Sequence, residues 1–346
     1  MTINVKFLAK TPPDQDPALW LSLFPKRFPR IGVCQFHFDP DYRHYDWLVV
    51  YEGLPPLPGE SRINRREKLA CARENTLLIT TEPSSIRIDG PHFLRQFGHV
   101  LTAKDPRVVQ HPNQIFQTPP LRWFYGRPMS EDDDHYVDLD AFMMTPAPLK
   151  ISHLSTVCSN KRMAHTVHAQ RYDFTMELWK RLGNDLTVFG RGIRPISNKA
   201  QAMDDFSYHI AIENHIEPHH WTEKIADCFL AYCLPFYYGP PNIGAYFPEE
   251  AIIPIDIFNI DDAEETIRAA MAMDLYRRRL PAIIKARELV LTEYNLMNVV
   301  ARIVNQRHEA RKKPLNSYVD GRHIYRKNHP VKAALDGVHR LRYETG

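Results

Sequence analysis

Between Asp205 and Phe247 the chain reads DFSYHIAIENHIEPHHWTEKIADCFLAYCLPFYYGPPNIGAYF, a run that leaves few folds open. Tyr208 to Ile212 is an apolar stretch of strand length that ends on Glu213-Asn214. Thr222 to Cys233 reads as a helix, with Ile225, Phe229 and Tyr232 at helical spacing on its buried side. Leu234 to Tyr238 is a second apolar strand, broken by Gly239-Pro240-Pro241-Asn242. Short strands that end in polar and charged residues, with helices starting right after, are how open α/β sheets build a ligand crevice.

The same alternation recurs along the chain. Trp47 to Tyr51, Leu77 to Thr81 and Gly98 to Thr102 read as strands, with a short helix around Phe93 to Phe97. The charged stretch Ile63 to Glu74 (INRREKLACARE) reads as a surface helix. After a polar, Pro-rich zone from Pro106 to about Leu149, Ile151 to Ser159 reads as strand and Ala164 to Leu182 as helix, stopping at Gly183. Leu186 to Phe189 is a strand closed by Gly190, and Asp261 to Met273 and Arg279 to Tyr294 read as later helices. Strand, helix and strand with short connections imply parallel sheets with crossover helices. The expected fold is therefore α/β, with two Rossmann-like domains facing across a cleft. We expect a first domain over 1–148, a second over 149–305 and a tail over 306–346.

At 346 residues the chain has room for two such domains. The five cysteines (Cys34, Cys71, Cys158, Cys228, Cys233) form no CxxC pair. They suggest neither a zinc site nor a disulfide framework, and read as reduced, buried thiols of a cytosolic protein. The N-terminus lacks the apolar core of a signal peptide, and the longest apolar run, Cys228 to Tyr238, is too short to span a bilayer. The net charge of +3 is unevenly spread: from Arg307 onward ten Lys/Arg face four Asp/Glu.

Glu213 and Asn214 at a strand end, with Glu223 and Lys224 in the first turn of the following helix, suit a nucleoside diphosphate. A helix N-terminus offers unpaired N–H groups and partial positive charge; a lysine there adds a full charge. A neighbouring carboxylate can accept both hydroxyls of a ribose. HIAIEN, TEKIADCF and LPFYYGPPNI also occur in the order and spacing of the family 10 fucosyltransferase signature, F-E-N-S…Y-x-T-E-K…P-x-Y-x-G-x-P-N-I, which the chain resembles. That resemblance implies a GT-B fold and a GDP-fucose donor, with Glu223 toward the ribose, Lys224 toward phosphate, and Asn214 in the site beside Glu213. His215 stands where the family has Ser or Thr, and His220 where it has an aromatic residue. These two, with Tyr238 and Lys161, are further donor-site candidates.

Cys158-Ser159-Asn160-Lys161 and the helix carrying Arg171, Phe174 and Leu178 resemble the family's S-N…R-x-x-F/Y-x-x-x-L element. This implies diphosphate contact by Arg171, with Asn160 nearby and Arg162 or Lys161 as substitutes. Val188 to Gly192 resembles a family strand-turn in which a glycine, here Gly190, lets backbone approach the ligand.

Inverting sugar transfer needs a carboxylate to take the acceptor hydroxyl's proton. Glu82 follows the Leu77 to Thr81 strand directly, and Thr81-Glu82-Pro83-Ser84 resembles the family's E-S/P-P element, whose Glu is regarded as the base. Asp89 and Glu52 are the fallback carboxylates. The His215/His219/His220 cluster lacks a completing Cys or Asp. Asp132-Asp133-Asp134 contains a DxD pattern but sits in a Ser/Asp-rich loop, which reads as a solvated acidic loop.

The resemblance thus implies transfer of L-fucose from GDP-fucose to an N-acetylglucosamine- or glucose-containing acceptor, an oligosaccharide or glycolipid. No metal and no other cofactor is expected. The alternatives are another GDP-sugar donor, or a catalytically silent protein that binds nucleotide-sugars or glycans. In the tail, Val331, Leu335, Val338 and Leu341 recur at helical spacing beside Lys332, His339, Arg340 and Arg342. This helix is expected to dock on the first domain or to meet an anionic membrane surface; without interleaved aromatics it does not suggest nucleic acid. A cytoplasmic location is expected, at the inner face of a bacterial membrane if the tail binds lipid.

Overall fold

In a computed structural model the described residues are all except 1, 12–15, 61–63, 129–135, 161–166, 311–315 and 344–346. The chain forms two compact units. One comprises Met1–Pro120 with Leu296–Gly346, the other Leu121–Asn295.

The first unit is built on strands β1 (Ile3–Ala9), β2 (Arg30–Ile31), β3 (Cys34–His37), β4 (Trp47–Tyr51), β5 (Arg66–Lys68), β6 (Thr76–Ile79), β7 (His99–Thr102) and β8 (Gln114–Phe116). Seven of these make one sheet in the order β2-β3-β1-β4-β6-β7-β8, parallel throughout except for the β2–β3 pair. The central strands are buried along their whole length, as sheets covered on both faces require. Strand β1 carries Lys6 in mid-sheet. Its ammonium is fully buried and is held 2.7 Å from the Glu67 carboxylate of β5, which also takes Arg43 at 2.8 Å.

That pair explains one departure from expectation. The charged segment around Glu67 is a strand, not a surface helix. β5 pairs antiparallel with β14 (Tyr318–Asp320), a partner some 250 positions away, and turns Glu67 inward to neutralise Lys6. A 3₁₀ turn at Arg73–Asn75 then leads into β6.

The second unit holds β9 (Ser152–Val157), β10 (Leu186–Phe189), β11 (Phe206–Ile212), β12 (Leu234–Tyr238) and β13 (Ile253–Pro254), all parallel, in the order β10-β9-β11-β12-β13. The His168–Leu182 helix ends at Gly183, whose φ of 57° is left-handed. The helix expected over Thr222 to Cys233 is shorter, Glu223–Leu230, because Tyr232 adopts a left-handed φ of 57°. Helices Ile260–Ala272 and Leu275–Leu291 lie near the positions expected for them.

The domain limits differ from those read in the sequence. Residues 121–148 belong with the second unit, because buried Asp227 accepts the N–H groups of Phe124 and Tyr125 at 2.9 and 3.0 Å. Tyr125 also donates to Asp204, Tyr232 to the Thr145 carbonyl and Arg287 to the Phe142 carbonyl.

The tail is not a separate appendage either. Val319 and Tyr325 join the first unit's core with Leu48, Val50, Leu78 and Val100, and Arg322 grips Asp89 through two bonds of 2.8 and 2.9 Å. The Pro330–Leu341 helix docks as one of the expected alternatives had it, but by its polar side. Asp336 accepts from the N–H groups of His92 and Phe93, and His339 bonds the Val108 carbonyl. Its apolar positions Val331, Leu335, Val338 and Leu341 face solvent. All five cysteines are buried free thiols.

Candidate functional site

The four long strands of the second sheet run in one direction, so their C-terminal ends share an edge, and most of the candidate donor residues stand there. Cys158 to Asn160 follow β9, Gly190 follows β10, Glu213 and Asn214 follow β11, and Gly239 follows β12. Gly190 is obligatory. Its φ is +136°, and a Cβ would lie 1.8 Å from the Cys158 carbonyl oxygen, so only glycine lets the ends of β9 and β10 come this close. Asn160, exposed, faces Gly192 of the same turn.

Thr222 caps the Glu223–Leu230 helix, its side chain accepting from the Lys224 N–H at 3.3 Å. The loop before the cap is fixed by an aromatic cluster, in which the buried Trp221 ring meets Phe247 at 5.1 Å and Tyr294 at 5.3 Å. The cap is tied to the sheet by Glu213. One oxygen of this carboxylate accepts from the Thr222 N–H at 2.9 Å and the Tyr237 hydroxyl at 3.0 Å; the other takes the Thr222 hydroxyl at 2.7 Å and the Lys224 ammonium at 3.2 Å. Only 1% exposed and saturated by its own chain, Glu213 does not emerge into an open crevice as the sequence suggests. It positions Lys224 instead.

Lys224 lies between two carboxylates, Glu213 at 3.2 Å and Glu223 at 3.3 Å. Burial disfavours its charge, but the two carboxylates outweigh burial and raise its pKa, so it is a firm cation. Burial likewise opposes ionisation of Glu223; Lys224 and Lys199 outweigh it and hold the carboxyl down to about 2. Arg171 completes the group. Its guanidinium donates to the Asn214 side-chain oxygen at 2.6 Å and to the Val157 carbonyl at 3.1 Å, and its field reaches Lys224. Residues separated by more than forty positions thus converge on one helix N-terminus, with two cations and a polar amide. Such an arrangement binds phosphate oxygens through charge and oriented N–H groups together.

The other candidates fall around this centre. Lys161 and Arg162 lie outside the described residues, as does the acidic run Glu131 to Asp134. His215 stands 3.1 Å from Glu217. His220 is buried, and burial lowers its pKa to about 4, so it is neutral near pH 7. His219 turns away toward the Tyr246 hydroxyl and Asn242. Tyr238 closes β12 half-buried, its ring edge-on to Phe258. Among the described residues no group of three His, Cys, Asp or Glu side chains is arranged as a metal site.

Sequence reading passed over Lys199 and Asp227. The two form a buried ion pair on the inner side of the helix, which itself carries Asp227, and the charge of Lys199 helps to keep Glu223 ionised. The lysine sits in a 3₁₀ turn with no pattern of its own, and nothing in the sequence links it to Asp227.

In the first unit the strand ends carry Glu52 after β4, Glu82 three residues after β6 and Lys104 after β7. Glu82 is half-buried, and its carboxylate has no hydrogen bond or ion pair among the described residues. Glu52 is held in a left-handed conformation, φ 64°, which is costly for a residue with a Cβ. Four bonds keep it there: its N–H donates to the Ile79 carbonyl at 2.8 Å, Thr81 donates to its carboxylate at 2.7 Å, and Arg322 and Arg87 donate to its carbonyl at 2.8 and 3.4 Å. Asp89 is bound to Arg322 on both oxygens; burial opposes its charge, but Arg322, Lys104 and Arg87 hold its pKa well below the usual carboxylate range. Of the three carboxylates read as base candidates, Glu82 alone keeps both oxygens uncommitted among the described residues.

No protein-family model matches the chain, and no curated protein does. Solved structures do. A crystal structure of an α1,3-fucosyltransferase with GDP aligns over 91% of this chain and 93% of its own, at 15% identity and a TM-score of 0.51. A second, with GDP-fucose, covers 84% and 90% at 15% identity and a TM-score of 0.47. A DNA-modifying β-glucosyltransferase covers 87% and 98% at 7% identity and a TM-score of 0.44. The fold is that of the GT-B glycosyltransferases, two α/β units each built on a parallel or mainly parallel sheet.

Proposed function

We propose that this chain is an inverting glycosyltransferase that moves L-fucose from GDP-fucose to a hydroxyl of an N-acetylglucosamine- or glucose-containing glycan, without a metal. The observation that carries the reading is the convergence of Arg171, Asn214, Glu223 and Lys224 on one helix N-terminus at the strand-end edge of the second sheet. The likeness in fold to an α1,3-fucosyltransferase solved with GDP supports it.

In this reading the diphosphate sits against Lys224 and Arg171, and Glu223 accepts the ribose hydroxyls. Glu82 takes the proton of the acceptor hydroxyl as its oxygen bonds to C1 of fucose. The bond from C1 to the phosphate oxygen breaks on the opposite face, and the electron pair leaves with GDP. The two cations then stabilise charge that grows on the β-phosphate, where such groups contribute most. Glu52, pinned beside Thr81, fixes the turn that presents Glu82.

The test is release of GDP from a panel of GDP-sugars, with and without acceptor glycans, in the presence of EDTA. Acceptor-dependent turnover of GDP-fucose alone is expected. Turnover of a different GDP-sugar would replace the donor assignment, and tight binding without any turnover would make the chain a silent binder. Glu82→Gln is expected to lower kcat by about two to four orders of magnitude with GDP affinity retained; full activity would remove Glu82 as base.

The proposal extends to a peripheral membrane contact on the cytoplasmic side. Val331, Leu335, Val338 and Leu341 form an outward apolar stripe on a helix that also exposes Lys332, with Arg342 at its end, and among the described residues no helix is long and apolar enough to cross a bilayer. Co-sedimentation with anionic but not zwitterionic vesicles is the expected result.

A further inference from the structure

The second unit holds a cavity of about 270 Å³ at the strand-start edge of its sheet, away from Arg171, Asn214, Glu223 and Lys224. Asn198 and Ala200 reach it from the turn before β11, and Leu230 and Tyr232 from the link between the Glu223–Leu230 helix and β12. Tyr125, Phe142 and Thr145 also line it. The cavity and the cation cluster therefore stand at opposite ends of one eight-residue helix, about 12 Å long.

The wall contains a buried cation without a counter-ion. Arg287 is 6% exposed and meets no carboxylate within ion-pair distance among the described residues. Its Nε donates to the Leu230 carbonyl at 3.2 Å and its Nη2 to the Phe142 carbonyl, and its guanidinium carbon lies 4.4 Å from the centre of the Tyr232 ring. Both carbonyls belong to the last turn of a helix, whose partial negative charge offsets only part of a full cation. Burial lowers the pKa of Arg287, and the groups acting the other way are Tyr232 and Tyr125. Its Nη1 has no acceptor among the described residues. Buried charges are ordinarily paired, and this one is not.

The rest of the lining is mostly aromatic and apolar. The hydroxyls of Tyr125 and Tyr232 are spent on Asp204 and on the Thr145 carbonyl, both at 2.7 Å, which leaves their rings as walls beside Phe142. Asn198 uses its side-chain oxygen on the Ala200 N–H, and its amide nitrogen donates to nothing among the described residues. Asp204 is the single carboxylate among the lining residues; it is exposed, so water and salt screen it, whereas Arg287 is buried. An apolar cavity of about 150 Å³ holds benzene, and pockets for larger ligands start near 300 Å³. This one has room for a single ring with a charged substituent, and not for a nucleotide.

We propose that this cavity binds a small aromatic carboxylic acid, its ring against Tyr125, Phe142 and Tyr232 and its carboxylate on Arg287 and the Asn198 amide. The inference does not depend on the transferase reading. The full chain is titrated calorimetrically with benzoate, benzyl alcohol, benzylamine and acetate, each with and without saturating GDP. Benzoate is expected to bind at least about tenfold more tightly than the other three, whether or not GDP is present. Arg287→Gln should lower benzoate affinity by about tenfold and leave that of benzyl alcohol unaltered. Ala200→Leu should fill the cavity and abolish benzoate binding, with GDP affinity and melting temperature retained. It is the deciding variant if Arg287→Gln, which uncaps two helix ends, does not fold.

Benzyl alcohol binding as tightly as benzoate overturns the inference, because the cation would then recognise nothing. Acetate as tight as benzoate would leave an anion site with no use for the rings, and benzylamine tighter than benzoate would give the site to Asp204; either ends it. So does an absence of benzoate binding at millimolar concentration. Displacement of benzoate by GDP, or benzoate binding that survives Ala200→Leu, would put the ligand elsewhere and end it as well.

Discussion

Glu213 and Glu223 are ten positions apart in sequence and share Lys224, yet their environments give them different work. Glu213 is sealed in and holds the Thr222 cap, the Tyr237 hydroxyl and the lysine; Glu223 is on the open side. Glu213→Gln removes a buried charge from a satisfied network and should cost about 1–3 kcal/mol in urea unfolding. Glu223→Gln should cost less stability and weaken GDP binding by about tenfold, through the ribose hydroxyls. The two variants measured side by side separate a positioning carboxylate from a contacting one; equal effects on both readouts would deny the distinction. Buried His209 offers a pH test. Burial first, then Lys199 and Lys150, lower its pKa to about 3, and its ring faces the Ser155 hydroxyl at 2.8 Å. A depressed histidine pKa means that the unfolded chain binds the proton more readily. Its contribution is therefore complete above the ordinary value near 6.5 and drains away as pH falls through that value toward 3. The melting temperature should decline across this window, and His209→Gln should flatten the decline. An unchanged slope would place the acid sensitivity elsewhere.

Elements with continuous apolar runs were readable from sequence, and those that depend on a distant partner were not. β4, β10 and β12 lie where Trp47-Leu48-Val49-Val50-Tyr51, Leu186-Thr187-Val188-Phe189 and Leu234 to Tyr238 put them, because such runs suit only a doubly covered strand. β1 escaped notice because Lys6 interrupts it, and β5 was read as helix because Arg66-Glu67-Lys68 is as polar as any surface turn of helix. The charges in these two strands make sense only together, as a buried pair joined across 61 positions. Periodicity carries no information about that pairing. The same holds for the C-terminal helix: its apolar stripe suggested the docking face, whereas Asp336 and His339 do the docking through specific acceptors and donors. The strand-turn glycine, by contrast, was legible, and its geometry makes a sharp prediction. Gly190→Ala places a methyl 1.8 Å from a backbone oxygen at a φ that alanine resists, so β9 and β10 must separate. We expect a loss above about 3 kcal/mol and weakened GDP binding, measured by denaturant titration and calorimetry. Retention of both would mean that the strand ends tolerate parting.

At the scale of the molecule, the second unit is an insertion within the first, and this is where sequence reading went furthest astray. The Pro-rich zone ending near Pro148 looked like a boundary because proline and acidic residues cluster there; the actual crossings lie at Leu121, inside that zone and directly after Pro119-Pro120, and at Leu296, which no shift in composition marks. The cluster of Arg171, Asn214, Glu223 and Lys224 could still be assembled on paper, because Glu213, Asn214, Glu223 and Lys224 are near neighbours in sequence and Arg171 follows a strand of the same sheet. The cavity lined by Asp89, Arg322 and Asp336 could not, since its walls come from residues 88–93 and 322–340. This discontinuity predicts what removal of the tail would do. A chain ending at Arg307 loses the His308 partner of Trp47, the β14 strand that covers β5, the core residues Val319 and Tyr325, and Arg322. The last loss is the gravest, for it strands the Asp89 carboxylate inside with its guanidinium gone; such breaks cost about 3–5 kcal/mol, a large part of a domain's stability. The second unit keeps every contact that orders Lys224 and Arg171. Hydrogen exchange on the truncated chain should therefore show amides of Trp47–Tyr51 exchanging freely while those of Phe206–Ile212 remain protected and GDP still binds. If both sheets lose protection together, the two units fold as one cooperative body and the C-terminal segment supports more than the unit it completes.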